Sequence, residues 1–204
     1  MEIYTSDLLP PKGKMKNKEY PDIIIIEPRT LNDQGCQEII DLHGQIEEVE
    51  YDFGDGDHEI VPDNDSVSFR YTHYGKDMAT LRSPEAEQVL DIVGDMLPQH
   101  PDFDNIHFVQ IVKYNERSFF PFHEDAADSS DTGTTMILLN DDYSGGELMI
   151  EPGVRITPSK GTIISFNNST DILHGVEPIY KGQRYALLIW YGRGDTSDKD
   201  SEVQ

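Results

Sequence analysis

At 204 residues the chain is long enough for one domain with a real core. Its 39 acidic and 16 basic residues give a formal net charge of -23, a surface that repels phosphate backbones, so no nucleic-acid partner is expected. A single cysteine, Cys36, excludes an internal disulfide and a cysteine-based zinc site, and the longest aliphatic run, Ile23 to Ile26, is far too short to span a membrane.

Met1 to Tyr20 lacks the apolar core of a signal peptide, and its lysines (Lys12, Lys14, Lys16, Lys18) stand among Pro, Gly and Asn. Residues 1–21 therefore read as a flexible solvated arm, and the protein as soluble, cytoplasmic and monomeric, with no membrane partner. Asp22 to Glu27 reads as a buried strand closed by Pro28. A helix follows, capped by Asn32 or Asp33, with Ile39, Ile40, Leu42 and His43 on its inner side. Tyr51 to Ser66 is acidic and rich in Gly; a calcium loop starting at Asp55 would put Ile60 where that geometry demands Gly, so a mobile loop is the simpler reading. Ser83-Pro84-Glu85 opens a second helix, a good cap with Pro at the first turn, and Val89, Leu90, Val93 and Leu97 stand at core spacing.

From Ile106 the pattern changes to short strands separated by turns: 106–114, 135–139, 147–150, 161–166 and 184–191, with hairpin chemistry at Ser144-Gly145-Gly146. Alternation in the last strand puts Arg184, Ala186, Leu188 and Trp190 on one face and Tyr185, Leu187, Ile189 and Tyr191 on the other. Both faces look buried, so helices should cover the outside of this sheet while the inside lines a cavity. An arginine on such an inner face needs an anionic partner to offset its desolvation. Residues 22–193 read as the folded domain and 194–204, rich in Asp and Ser, as a disordered tail.

Within this frame, His123-Glu124-Asp125 and His174 supply two imidazoles and one carboxylate. In an extended segment His123 and Asp125 share a face, and Glu124 points away. Two histidines and one carboxylate with open positions form the ligand set expected of a non-haem Fe(II) oxygenase, although imidazole and carboxylate also suit other divalent metals. Three protein ligands leave three octahedral positions for other ligands. Five other histidines (His43, His58, His73, His100, His107) read as structural or solvated.

Four ordered motifs resemble the catalytic domain of Fe(II)/2-oxoglutarate dioxygenases, and the prolyl 4-hydroxylase branch most closely. They are Tyr114-x8-His123-x-Asp125, Gly145-Gly146-Glu147-Leu148, His174-Gly175-Val176-x-Pro178 and Gly182-x-Arg184-x6-Tyr191. The resemblance implies a mainly β (α+β) fold: a double-stranded β-helix, or jelly-roll, core with N-terminal helices packed on the larger sheet. It also implies Fe(II) ligation by His123, Asp125 and His174, a grip by Arg184 on the distal carboxylate of 2-oxoglutarate, and a hydrogen bond from Tyr114 to the same co-substrate. O2 and ascorbate complete the implied cofactors, and a proline-containing protein or peptide is the implied substrate. Trp190 matches an aromatic near the prolyl substrate; Arg70 and Tyr71 stand where they could reach it. Residues 51–76 resemble in position a loop that closes over peptides. Oxygen-sensing members carry a second tyrosine where this chain has Leu138, and an arginine in the His-x-Asp loop where this chain is acidic, so a target like theirs is not expected. A free amino acid or other small metabolite remains an alternative substrate, and a non-catalytic metal-binding module a third reading.

Overall fold

A computed structural model describes residues 15–17, 20–27, 29–49, 67–73, 75–97, 105–125, 131–150, 154–157, 159–167 and 173–192. Strands β1 (Met15–Asn17) and β2 (Tyr20–Glu27) come first. Helix α1 (Asp33–His43) begins where Asn32 accepts a 2.9 Å hydrogen bond from the Gly35 amide, satisfying one of the open donors of the first turn. Then come β3 (Phe69–His73) and β4 (Lys76–Leu81), followed by helix α2 (Glu85–Val93), with Pro84 at its cap position. The remainder is strand: β5 (Asn105–Tyr114), β6 (Phe120–His123), β7 (Asp131–Leu138), β8 (Ser144–Gly145), β9 (Leu148–Ile150), β10 (Val154–Ile156), β11 (Ile163–Asn167), β12 (His174–Val176), β13 (Ile179–Lys181) and β14 (Arg184–Gly192).

Two antiparallel sheets face each other. The larger has eight strands in the order β1-β2-β11-β7-β14-β5-β4-β3; the smaller has four, β10-β9-β12-β6. This is the jelly roll that the resemblance implied. Both helices cover the outer face of the large sheet. Ile39, Leu42, Val89 and Val93 pack there against Val109, Ile111, Leu187 and Ile189, all of them buried. Between the sheets lies a second apolar cluster, built from Val112, Leu138, Ile150, Ile164, Phe166 and Ala186. Alternation along β14 thus does what its pattern predicted: odd residues feed the helix-covered core and even residues face the space between the sheets.

Three expectations need correction. Met15–Asn17 and Tyr20 belong to strands of the large sheet, reaching into the stretch read as a flexible arm, because β2 pairs with β11 and offers its other edge to β1. The proposed lid at 51–76 is in its last part a hairpin, β3 pairing with β4 from Phe69↔Thr80 to His73↔Lys76. Residues 51–66 lie outside the described set, as do the 194–204 tail, His58 and His100. Pro84 occupies the cap position of α2 rather than its first turn, and the Ser83 hydroxyl reaches Glu87 instead, at 2.7 Å. Among the described residues no helix is long and apolar enough to cross a membrane.

Candidate active site

Strand pairing places the first two site residues. β12 lies beside β6 with His174 opposite His123, and the two rings stand 4.3 Å apart between centroids. Gly175 lets these strands meet: a Cβ there would sit 2.9 Å from the Phe120 carbonyl oxygen. Asp125 lies just beyond the end of β6. Its Oδ1 is 3.3 Å from His123 Nε2 and 3.5 Å from His174 Nε2, while Oδ2 accepts a 2.7 Å hydrogen bond from the Thr134 hydroxyl. One ligand atom from each of the three lies within 4.8 Å of the others, so a single ion can meet all three. His123 is further oriented by a 3.0 Å contact of Nδ1 with the Pro121 carbonyl, leaving Nε2 for the metal. Burial alone would raise the Asp125 carboxyl; hydrogen bonds from His123, His174 and Thr134 overcome that and hold it well below the usual carboxylate range. The Asp125 carboxylate is therefore ionised and the three ligand atoms converge, as a divalent cation requires.

These residues open on one cavity of about 620 Å³ between the sheets. Arg184 enters it from β14 and is fully buried, at 0% exposure. Its guanidinium lies 4.9 Å from the ring of Tyr114, the residue opposite it in β5, and Nη2 touches the Met136 sulfur at 3.4 Å. Nε and Nη1 have no hydrogen-bond partner, and no carboxylate among the described residues forms an ion pair with this side chain. Gly146 keeps the space open: at φ +71°, a Cβ there would lie 3.0 Å from Arg184 Cδ and 2.5 Å from Ile179 Cδ1. Burial pushes the Tyr114 hydroxyl up to about 12, with Arg184 pulling against it, so Tyr114 stays a neutral donor.

Of the other residues singled out in the sequence, Tyr71 and Trp190 line the cavity, and Trp190 packs on Phe108 with ring centroids 5.1 Å apart and planes tilted by 56°. Arg70 does not line it. As neighbours on β3, Arg70 and Tyr71 point to opposite faces, and Arg70 is held at 2.6 Å by Asp77 and 3.1 Å by Glu48. His43 is buried against Asp77 on the helix side, 3.2 Å from its carbonyl. Leu138 is fully buried in the inter-sheet cluster. His107 and Glu124 also border the cavity, and both are exposed, so His107 fits its reading as solvated. Sequence reading missed Lys76, Arg82, Gln110 and Thr134, all on the cavity wall. For Lys76 the signal was present: Lys76, Met78 and Thr80 alternate with Asp77, Ala79 and Leu81, a strand pattern masked by its charged start.

Residues 109–192 match the family model of the 2OG-Fe(II) oxygenase superfamily. This part of the chain is similar to that superfamily. The match runs from β5 to β14 and so includes the convergent triad, Tyr114 and Arg184. Curated relatives include a PKHD-type hydroxylase of Alteromonas mediterranea, 32% identical over 92 residues, 38% of this chain and 40% of that protein. Human prolyl 3-hydroxylase 3 is 34% identical over 62 residues, 28% of this chain and 8% of that protein. The matched stretches thus span less than half of these relatives. Among solved structures, a 2OG-Fe(II) oxygenase family oxidoreductase from Burkholderia pseudomallei superposes with a TM-score of 0.60 at 17% identity, over 84% of each chain. A Trichoplax adhaerens prolyl hydroxylase, solved with a hypoxia inducible factor peptide fragment, gives 0.59 at 16% identity over 83% of each. These likenesses show the oxygenase jelly roll. Fe(II), 2-oxoglutarate and O2 are the cofactors this likeness implies, with ascorbate typical of the prolyl hydroxylase branch.

Proposed function

We propose that this chain is an Fe(II)- and 2-oxoglutarate-dependent dioxygenase that hydroxylates a proline of a protein or peptide at C4, releasing succinate and CO2. One observation carries the reading: a fully buried Arg184 without a described carboxylate partner, in the same cavity as a convergent His-Asp-His set. A buried guanidinium is stable only beside an anion, and a dicarboxylate co-substrate provides one. His123, Asp125 and His174 would hold iron and leave positions open for other ligands. Bound iron supplies the activation of O2 that couples loss of CO2 from the 2-oxo acid to insertion of one oxygen atom into a C–H bond. Arg184 grips the distal carboxylate as a fork, and the neutral Tyr114 hydroxyl donates beside it. Thr134 and the Pro121 carbonyl fix the orientation of Asp125 and His123. Val112, Met136, Phe166 and Leu188 make much of the wall apolar and limit the water around the reacting centre. The aromatic pair Phe108–Trp190 at the cavity wall suits the compact apolar ring of proline, and the prolyl hydroxylases among the similar proteins support the same substrate class.

The test is succinate release with Fe(II), ascorbate and 2-oxoglutarate, comparing proline-containing peptides with free proline and other amino acids, with product mass read for one added oxygen. Substrate-stimulated succinate with a 4-hydroxyproline product is the expected result. Hydroxylation of free amino acids alone would move the substrate to the small-metabolite class. No succinate under any condition would sink the enzymatic reading.

A further inference from the structure

We propose that Arg82 reads a carboxylate carried by the substrate, at the end of the cavity away from Arg184. The inference rests on the reading of this cavity as a hydroxylase site. Arg82 stands just past the end of β4, where Leu81 is opposite Val109 of β5. Its row across the large sheet is therefore that of Phe108, which is opposite Trp190 of β14. All three side chains line the cavity. The other end of β4, Lys76, shares its row with Tyr114 and Arg184. At strand spacing the two rows are roughly 20 Å apart. 2-Oxoglutarate is far shorter than that, so an anion at Arg82 is a different one from the anion at Arg184.

The backbone of Arg82 is fixed, its amide donating to the Ser68 hydroxyl at 2.8 Å. That hydroxyl also donates to Glu85 at 2.9 Å, so the nearest carboxylate along the chain is engaged by serine. Among the described residues the Arg82 guanidinium forms no ion pair and no side-chain hydrogen bond, and Glu124, which also borders the cavity, is not paired with it. What holds the guanidinium is the Phe108 ring, whose centroid is 5.8 Å away. A guanidinium packed on a ring keeps its in-plane N–H donors for a ligand. The position suits the chemistry. Thr134, which holds the metal ligand Asp125, is opposite Trp190. Thr134, Trp190, Phe108 and Arg82 thus form one row over β7, β14, β5 and β4. Three strand spacings put its two ends roughly 14 Å apart. A proline against the Phe108–Trp190 pair, between metal and Arg82, would bring the neighbouring residues of its own chain to the guanidinium. An acidic side chain there, or the free carboxylate of a chain that ends there, presents the same group. The net charge of -23 repels acidic peptides at long range, so the preference must come from this local cation.

The experiment uses the full chain loaded with 2-oxoglutarate and Mn(II), which occupies such ligand sets without turnover. The probes are short peptides with one central proline, capped at both ends, carrying Glu or Gln at a single position near it. A second set ends in a free carboxylate or an amide at those positions. Affinities are measured by titration calorimetry. The wild type should bind a Glu peptide about tenfold tighter than its Gln partner at one of the positions. Arg82→Gln should abolish that difference, Arg82→Lys should restore part of it, and Arg82→Glu should turn the preference toward a Lys peptide. A preference confined to the free-carboxylate set supports the same grip on a chain end. Equal binding of charged and neutral partners in both sets, a preference that survives Arg82→Gln, or no binding of any peptide overturns the assignment of Arg82. Failure of the hydroxylase reading shows elsewhere, as no succinate with any proline compound, so the two failures are told apart.

Discussion

Arg184→Gln separates a co-substrate arginine from a structural one. In the structural case the guanidinium would neutralise an internal carboxylate, and losing it would leave a buried charge alone, lowering stability by roughly 3–5 kcal/mol with or without ligand. No such carboxylate pairs with it among the described residues, and two of its nitrogens face the cavity without partners. The variant should therefore fold nearly normally and bind metal. Removing a bidentate charge-assisted contact worth a few kcal/mol should weaken 2-oxoglutarate by about two to three orders of magnitude. At 2-oxoglutarate equal to about 100 times its Kd, the wild type gains about 2.7 kcal/mol, or roughly 5–11 °C in Tm for a domain of this size. A variant bound a hundredfold more weakly gains about 0.4 kcal/mol at the same concentration, a shift of roughly 1 °C. Thermal melts with Mn(II), with and without 2-oxoglutarate, read this directly. Arg184→Lys should recover part of the shift, since it restores the charge without the fork. A Gln variant that melts early yet keeps the full ligand shift would refute the reasoning.

Replacing His123, Asp125 or His174 with Ala should abolish oxidation and weaken metal binding by orders of magnitude, whereas His43→Gln should leave metal binding intact; metal titration by calorimetry checks both. Gly146→Ala forces a side chain into left-handed backbone and against Arg184 Cδ, so it should cost about 1–2 kcal/mol of stability from the backbone alone and weaken 2-oxoglutarate together with it; denaturant melts and ligand titration measure the two effects. Burial lowers the pKa of His43 below the ordinary histidine value, with the nearby Asp77 only partly opposing. Because the unfolded chain then binds more protons than the folded one, the contribution of His43 is complete above about pH 6.5 and is lost as pH falls below it. Denaturant melts from pH 7.5 to 5 should show stability dropping in the wild type and a flatter profile in His43→Gln.

Where the chain repeats a clear period, its structure was legible. The alternation of Arg184 to Tyr191 foretold a strand buried on both faces, and the ordered His123, Asp125, His174 and Arg184 foretold one site, because metal and carboxylate chemistry admit few alternatives. Strands β3 and β4 were not legible. Phe69 to Leu81 carries charges at Arg70, Lys76 and Asp77, and burial of those charges depends on partners that only the fold supplies, Asp77 for Arg70 and an aromatic pair for Lys76. Arg70 was misjudged for the same reason: its neighbour Tyr71 reaches the cavity, and strand alternation turns Arg70 away from it. Strands of two or three residues such as β8 and β13 leave no periodicity to read.

The facing histidines of β6 and β12 have a consequence for how the small sheet stays assembled. These strands have only four and three residues, so their ladder is brief. An ion gripped by both rings is a reversible cross-link between positions 123 and 174, closing a loop of about 50 residues in the manner of a disulfide, which on chain-entropy grounds is worth about 4 kcal/mol. Loss of metal would thus open a seam as well as a reaction centre, releasing β6 and β12 from each other first and leaving the helix-covered sheet behind them intact.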